Sequence, residues 1–121
     1  MYYGMSPDAL QKLYVQDSLT NENNGFSFQL KNLIDSGSIS GVKKLVVDGE
    51  EKALDQVTIE MGEKVREASS ISWSSSLYVG YGNTLKVHVP GELAPGEHTI
   101  KLTINAPEIG QLTLPITGEI E

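Results

Sequence analysis

Between Thr84 and Ile104 apolar and polar residues alternate, break off, and alternate again. Leu85, Val87 and Val89 interleave with Thr84, Lys86 and His88. After Pro90-Gly91-Glu92-Leu93-Ala94-Pro95-Gly96, Ile100, Leu102 and Ile104 interleave with Thr99, Lys101 and Thr103. A period of two marks strands buried on one face. Prolines at both ends of the intervening loop cannot donate to a ladder, and its glycines free the backbone, so both strands stop there. The same period recurs at Phe26, Phe28 and Leu30, at Val57, Ile59 and Met61, and at Leu112, Leu114, Ile116 and Ile120. Pro115 falls on the other parity of the last run, which suits a terminal strand at a sheet edge.

The remaining segments are shorter. Ser6 as cap, Pro7 at the first helical position and Asp8 in the first turn predict a helical turn near the N-terminus. Leu13, Val15 and Leu19 are read as the beginning of a strand, and Asn21 to Gly25 as a turn whose Asn-Gly tolerates positive φ. Asp35 to Gly41 reads as an irregular excursion anchored by Ile39. Lys43 to Leu54 reads as a hairpin about Asp48-Gly49. Glu63 to Ser70 is polar and reads as a loop. Ile71, Trp73, Leu77 and Val79 share one parity, as one bent strand or two short ones, and Tyr78 to Asn83 turns the chain. About eight short strands with turn signals every eight to twelve residues predict an all-β fold, a two-sheet antiparallel β-sandwich of jelly-roll or immunoglobulin-like kind. Residues 1–121 fit a single domain, with a core of roughly twenty inward side chains, each worth about 1.5 to 3 kcal/mol when buried.

Charge and composition remove several function classes. A formal charge of -7 and a pI near 4.7 disfavour a nucleic-acid partner, since phosphate binding needs a basic patch. The one basic doublet, Lys43-Lys44, is read as covering a strand edge. No run approaches the ~20 apolar residues of a membrane span, and no basic region followed by an apolar stretch opens the chain. The chain has no cysteine, hence no disulfide framework, and the expected location is the cytoplasm.

Candidate chemistry mostly cancels on inspection. Glu50 and Glu51 are adjacent, so on a strand they point to opposite faces, and a solvated hairpin is expected rather than an acid/base pair. His88 shares parity with outward Thr84 and Lys86, whereas His98 shares parity with inward Ile100 and Leu102, so a joint metal site is not expected. The serines at 69, 70, 72, 74, 75 and 76 have no histidine nearby in sequence to activate them. Trp73 and the tyrosines could form a sugar platform, but parity with Ile71, Leu77 and Val79 favours Trp73 in the core. Neither a phosphate-binding glycine loop nor a nucleophile elbow is present. Catalytic, cofactor and metal residues are therefore expected to be none.

Val15-Gln16-Asp17-Ser18-Leu19, Gly25-Phe26-Ser27-Phe28-Gln29-Leu30, Ser38-Ile39-Ser40 and Val46-Val47-Asp48-Gly49-Glu50-Glu51 come in an order completed by Trp73 and by Pro90-Gly91-Glu92-Leu93-Ala94-Pro95-Gly96-Glu97-His98. Over residues 14 to 104 this order resembles the small β subunit of bacterial C-glycoside deglycosidases. It departs from that pattern at Asn105 to Gly110 and in the loop 63 to 70. The resemblance implies a bacterial accessory subunit, not catalytic alone, in a hetero-oligomer. A larger sugar-isomerase-like barrel would hold a manganese-like divalent metal and cleave 3-oxo-C-glycosides by an elimination-like, lyase-type route. It further implies a partner interface at Glu92, Leu93, Ala94 and Pro95, with Leu93 as an apolar tip. The alternative reading is a free-standing carbohydrate-binding or protein-interaction sandwich that uses exposed aromatics. An autonomous hydrolase would need a nucleophile and base that the sequence does not place together.

Overall fold

The computed structural model describes residues 7–107 and 110–121. One short helix, α1 (Pro7–Gln11), precedes eleven strands: β1 (Thr20–Glu22), β2 (Gly25–Lys31), β3 (Gly37–Ile39), β4 (Gly41–Val47), β5 (Glu50–Glu51), β6 (Thr58–Met61), β7 (Lys64–Glu67), β8 (Leu77–Val79), β9 (Thr84–Pro90), β10 (Gly96–Ala106) and β11 (Gly110–Ile120). They form a five-stranded sheet in the order β1-β2-β9-β6-β7, a four-stranded sheet β11-β10-β4-β5, and the pair β3-β8. Every pairing is antiparallel. The sequence-level expectation of an all-β sandwich with an N-terminal helical turn therefore holds; Ser6, its expected cap, lies outside the described residues. No helix among the described residues is long and apolar enough to cross a membrane.

The alternating runs supply the core. Phe26, Phe28 and Leu30 lie opposite Val89, Val87 and Leu85 in the β2-β9 register, and Ile100 and Leu102 lie opposite Ile116 and Leu114. All ten are buried, and they belong to one apolar cluster shared by both large sheets. Thus β9 and β10, adjacent in sequence, belong to different sheets, and the 91–95 loop carries the chain across the sandwich.

Three hairpins follow from backbone rules. Asn23 and Asn24 both take positive φ between Glu22 and its partner Gly25, as do Asp48 and Gly49 between Val47 and Glu50, the geometry of type I′ turns. Gly62 takes positive φ at the first central position between Met61 and Lys64, the type II′ pattern. That last turn makes β7, so the polar stretch expected as a loop is an edge strand followed by a 3-10 turn at Ala68–Ser70. Its signal was hidden because Lys64 to Glu67 have no buried residue on either face to alternate. The excursion at 35–41 likewise contains β3, whose Ile39 is buried opposite Leu77. Leu13 and Leu19 are buried without being strand residues; the strand begins at Thr20, and Tyr14 makes an isolated bridge to Leu30.

Two irregularities solve packing problems. In β4, Thr103 faces Lys44 but Ile104 faces Val42, so Lys43 is the extra residue of a bulge. The bulge lets Val42 and Leu45 both turn inward while Lys43 and Lys44 stay exposed. In β11 the inward row Leu112, Leu114, Ile116, Ile120 is interrupted by Gly118. A Cβ there would lie 2.7 Å from the Tyr14 hydroxyl and 3.1 Å from Leu19, so the segment after α1 fills the gap. The Tyr14 hydroxyl also accepts the Leu19 N–H at 3.1 Å.

Candidate functional site

Trp73 departs most from the sequence expectation: it is 78% exposed, not a core residue. Ser72 and Ser75 exchange backbone hydrogen bonds of 3.1 Å each way, closing a tight turn with Trp73 near its tip. The chain reverses there, so the parity shared with Leu77 and Val79 does not carry through the turn. Ile71 before it and Leu77 and Val79 after it are buried as expected.

The turn is held by Arg66 of β7. The guanidinium donates to the Ser70 and Ser75 carbonyls, each at 3.0 Å, to Ser75 Oγ at 2.9 Å and to Ser70 Oγ at 3.3 Å. Ser70 Oγ donates to the Glu67 carbonyl at 2.7 Å. The serine-rich run thereby gains a structural role: its carbonyls and hydroxyls anchor a cation that fixes how Trp73 is displayed. The guanidinium's five donors in a planar fork reach four acceptors in fixed directions, whereas a lysine has three donors on a single nitrogen.

Among the described residues two further aromatics are exposed, Tyr78 at 60% and Tyr81 at 63%. Tyr78 is the outward residue of β8. Tyr81 sits in the following turn, which is stitched to the β2–β3 connection. Asn32 accepts from the Ile34 N–H at 3.0 Å and donates to the carbonyls of Asp35, Val79 and Gly80 at 2.7, 3.2 and 3.3 Å. The Asn32 N–H donates to the Asn83 carbonyl, the Gly82 N–H donates to the Asn32 carbonyl, and the Tyr81 N–H donates to Ser36 Oγ. One asparagine side chain thus ties two loops and holds Tyr81 at their edge.

The residues named from sequence fall elsewhere. Glu92, Ala94 and Pro95 are exposed, but Leu93 is half-buried and packs against the core. The Asn21 side chain explains this: its Oδ1 accepts the Leu93 N–H and its Nδ2 donates to the Leu93 carbonyl, both at 2.9 Å. Leu93 is therefore not the free apolar tip expected. Glu50 and Glu51 are exposed and pair with Lys52 and Lys44.

The two histidines occupy different sheets. His88 Nε2 donates to the Glu22 carbonyl at 3.1 Å. His98 Nδ1 lies 2.6 Å from Asp48 Oδ2, and Nε2 lies 2.7 Å from the Ala94 carbonyl. Both partners are acceptors, so both ring nitrogens must carry protons. The Asp48 carboxylate, then the Ala94 carbonyl, hold the His98 pKa above its ordinary value; the His98 hydrogen bond, then the Thr99 N–H, hold Asp48 below its own. On the outer face of the larger sheet, Lys86 pairs with Glu22, lowering the carboxylate's pKa and raising the amine's. Among the described residues no group of three His, Asp or Glu side chains is placed to hold a metal ion.

Fold and surface together define a small β-sandwich domain with displayed aromatic side chains. Residues 9–121 match the family described as hydroxymethylglutaryl-CoA reductase, N-terminal domain, and the chain belongs to that family. Among curated proteins none matches it. The family match overturns the resemblance to C-glycoside deglycosidase β subunits and the function drawn from it. Of the segments that carried the resemblance, Val46 to Glu51 spans the type I′ turn at Asp48-Gly49 and Pro90 to His98 spans the cross-sandwich loop, features that many sandwiches need for backbone reasons. The barrel partner and its divalent metal rested on that resemblance alone.

Proposed function

We propose that this chain is a non-catalytic protein-interaction module whose docking surface is centred on Trp73. The observation that carries this reading is a 78% exposed indole on a turn clamped by Arg66. Large aromatic side chains held rigid before binding contribute contact area at small entropic cost, and tryptophan is enriched among residues that dominate interface energies. The partner proposed is the catalytic part of a reductase of the kind the family description names, in the same polypeptide or another.

The test mixes the domain with that reductase portion and measures the dissociation constant by calorimetry. Trp73→Ala is expected to weaken binding by at least about thirtyfold, a hot-spot loss of ~2 kcal/mol. Arg66→Ala should weaken it less, by loosening the turn. Equal affinity for wild type and Trp73→Ala removes the indole from the interface. A second reading, carbohydrate binding, draws on the same exposed ring together with Tyr78 and Tyr81. Trp73 is the chain's single tryptophan, so its fluorescence reports that ring alone. Saturable quenching by oligosaccharides, with no reductase binding, would favour the carbohydrate reading.

A further inference from the structure

The space between the two large sheets is not filled at one end. A cavity of about 260 Å³ opens beneath the β2–β3 connection. Leu30 and Leu85 of one sheet and Leu102 and Leu114 of the other line it, and Ile39 and Val79 of the β3-β8 pair close its side. Its mouth is polar, with Lys31, Asp35 and Ser36 around it.

The wall is mainly aliphatic, and its polar lining residues all come from Lys31 to Ser38, at the end of β2, in the β2–β3 connection and in β3. A void of this kind forfeits dispersion contacts along its aliphatic lining, and water gains no hydrogen bonds there to offset entering. An apolar occupant restores those contacts. An engineered dry cavity of ~150 Å³ takes up benzene, so scaling by volume this one suits a hydrocarbon group of about ten carbons.

We infer that this cavity is a binding site for an alkyl or acyl tail of about eight to ten carbons, inserted between the sheets with its head group left in water at the mouth. The Asn32 network fixes the loop above the entrance, so the site is pre-formed. The half-buried Ile34 beside the exposed Leu33 gives the entrance an apolar lip. The site is separate from the Trp73 turn and does not rest on the docking role proposed for it.

Octanoate and 1-octanol, alike in tail and different in head, are the probes, followed by methyl-resolved NMR of the leucine, isoleucine and valine side chains. Both are expected to bind saturably and to shift the methyls of Ile39, Leu85, Leu102 and Leu114. Two variants reduce the space from the wall, Ile104→Phe at the half-buried rim and Ala106→Leu. Each should weaken both probes at least tenfold without lowering the melting temperature. If one variant does not fold, the other and the wild-type shift map still decide. Absence of binding by both probes, binding of octanoate alone, shifts outside the cavity, or unchanged affinity in the folded variants would overturn the inference.

Discussion

His98 is a proton-dependent bond between two parts of the sandwich that are distant in sequence. Asp48 belongs to the β4–β5 turn and Ala94 to the cross-sandwich loop, and the ring spans both at 2.6 and 2.7 Å. Neither acceptor can donate, so loss of one ring proton must abolish one bond. The sign follows from the shifts. The folded pKa of His98 lies above its ordinary value of 6.5, so its contribution is complete below 6.5 and is lost as pH rises through the folded value. Asp48 is depressed below its ordinary 3.8, so its contribution is present above 3.8 and is lost as pH falls through the folded value. The pair is strongest in the window between those two ordinary values. The imidazole side chain is 11% exposed and the carboxylate 45%, so solvent screens part of the attraction. A charge-assisted hydrogen bond of this exposure is worth about 1 to 2 kcal/mol. Urea unfolding should show wild type losing about that much between pH 5.5 and pH 8.5, or about 4 °C of melting temperature per kcal/mol. His98→Gln should be less stable at pH 5.5 and should lose less on going to pH 8.5. Asp48→Asn should have a comparable effect, and the double variant should cost less than the sum of the two. Equal pH dependence in wild type and His98→Gln would refute the argument.

Four other substitutions separate structural roles from surface ones. Trp73→Ala should change unfolding free energy by no more than about 0.5 kcal/mol, whereas Phe28→Ala, fully buried, should cost about 3 to 5 kcal/mol. Comparable losses in calorimetric melts would return Trp73 to the core. Gly25→Ala places a Cβ 2.2 Å from the Val89 carbonyl oxygen, and the β2-β9 ladder must shift, destabilising by about 2 kcal/mol or more; a neutral denaturation midpoint would show that approach to be relieved. Asn32→Ala removes four hydrogen bonds at once, for a loss of about 2 to 4 kcal/mol. Hydrogen exchange should quicken at the Tyr81 to Asn83 amides, and unchanged protection there would remove Asn32 as the link.

What the sequence determined by itself is the set of strands whose two faces differ. Where one face is buried and the other is more open, as at Leu85 to Val89 and Ile100 to Leu102, the alternation is the burial, and the parity of each strand could be read directly; Phe26 to Leu30 alternates in the same way although Ser27 on its other face is buried too. The turn at Asp48-Gly49 was legible for a related reason, since positive φ restricts the residues that can stand there; the turn within Asn21 to Gly25 was legible too, but its positive φ falls on Asn23 and Asn24 and not on the Asn-Gly pair, Gly25 being the first residue of β2. Tertiary structure alone decided the rest. The strand β7 buries neither face, and its backbone pairing to β6 leaves no mark on side-chain pattern beyond Gly62. Assigning β9 and β10 to different sheets depends on partners far along the chain. Leu93 turns inward because Asn21 captures its peptide group, a contact between residues 72 positions apart. Trp73 turns outward because a four-residue reversal cancels parity and Arg66, from another strand, holds that reversal in place. A periodic pattern reports the environment of a continuous segment; it carries no information across a turn, and turns are where this protein displays Trp73 and Tyr81.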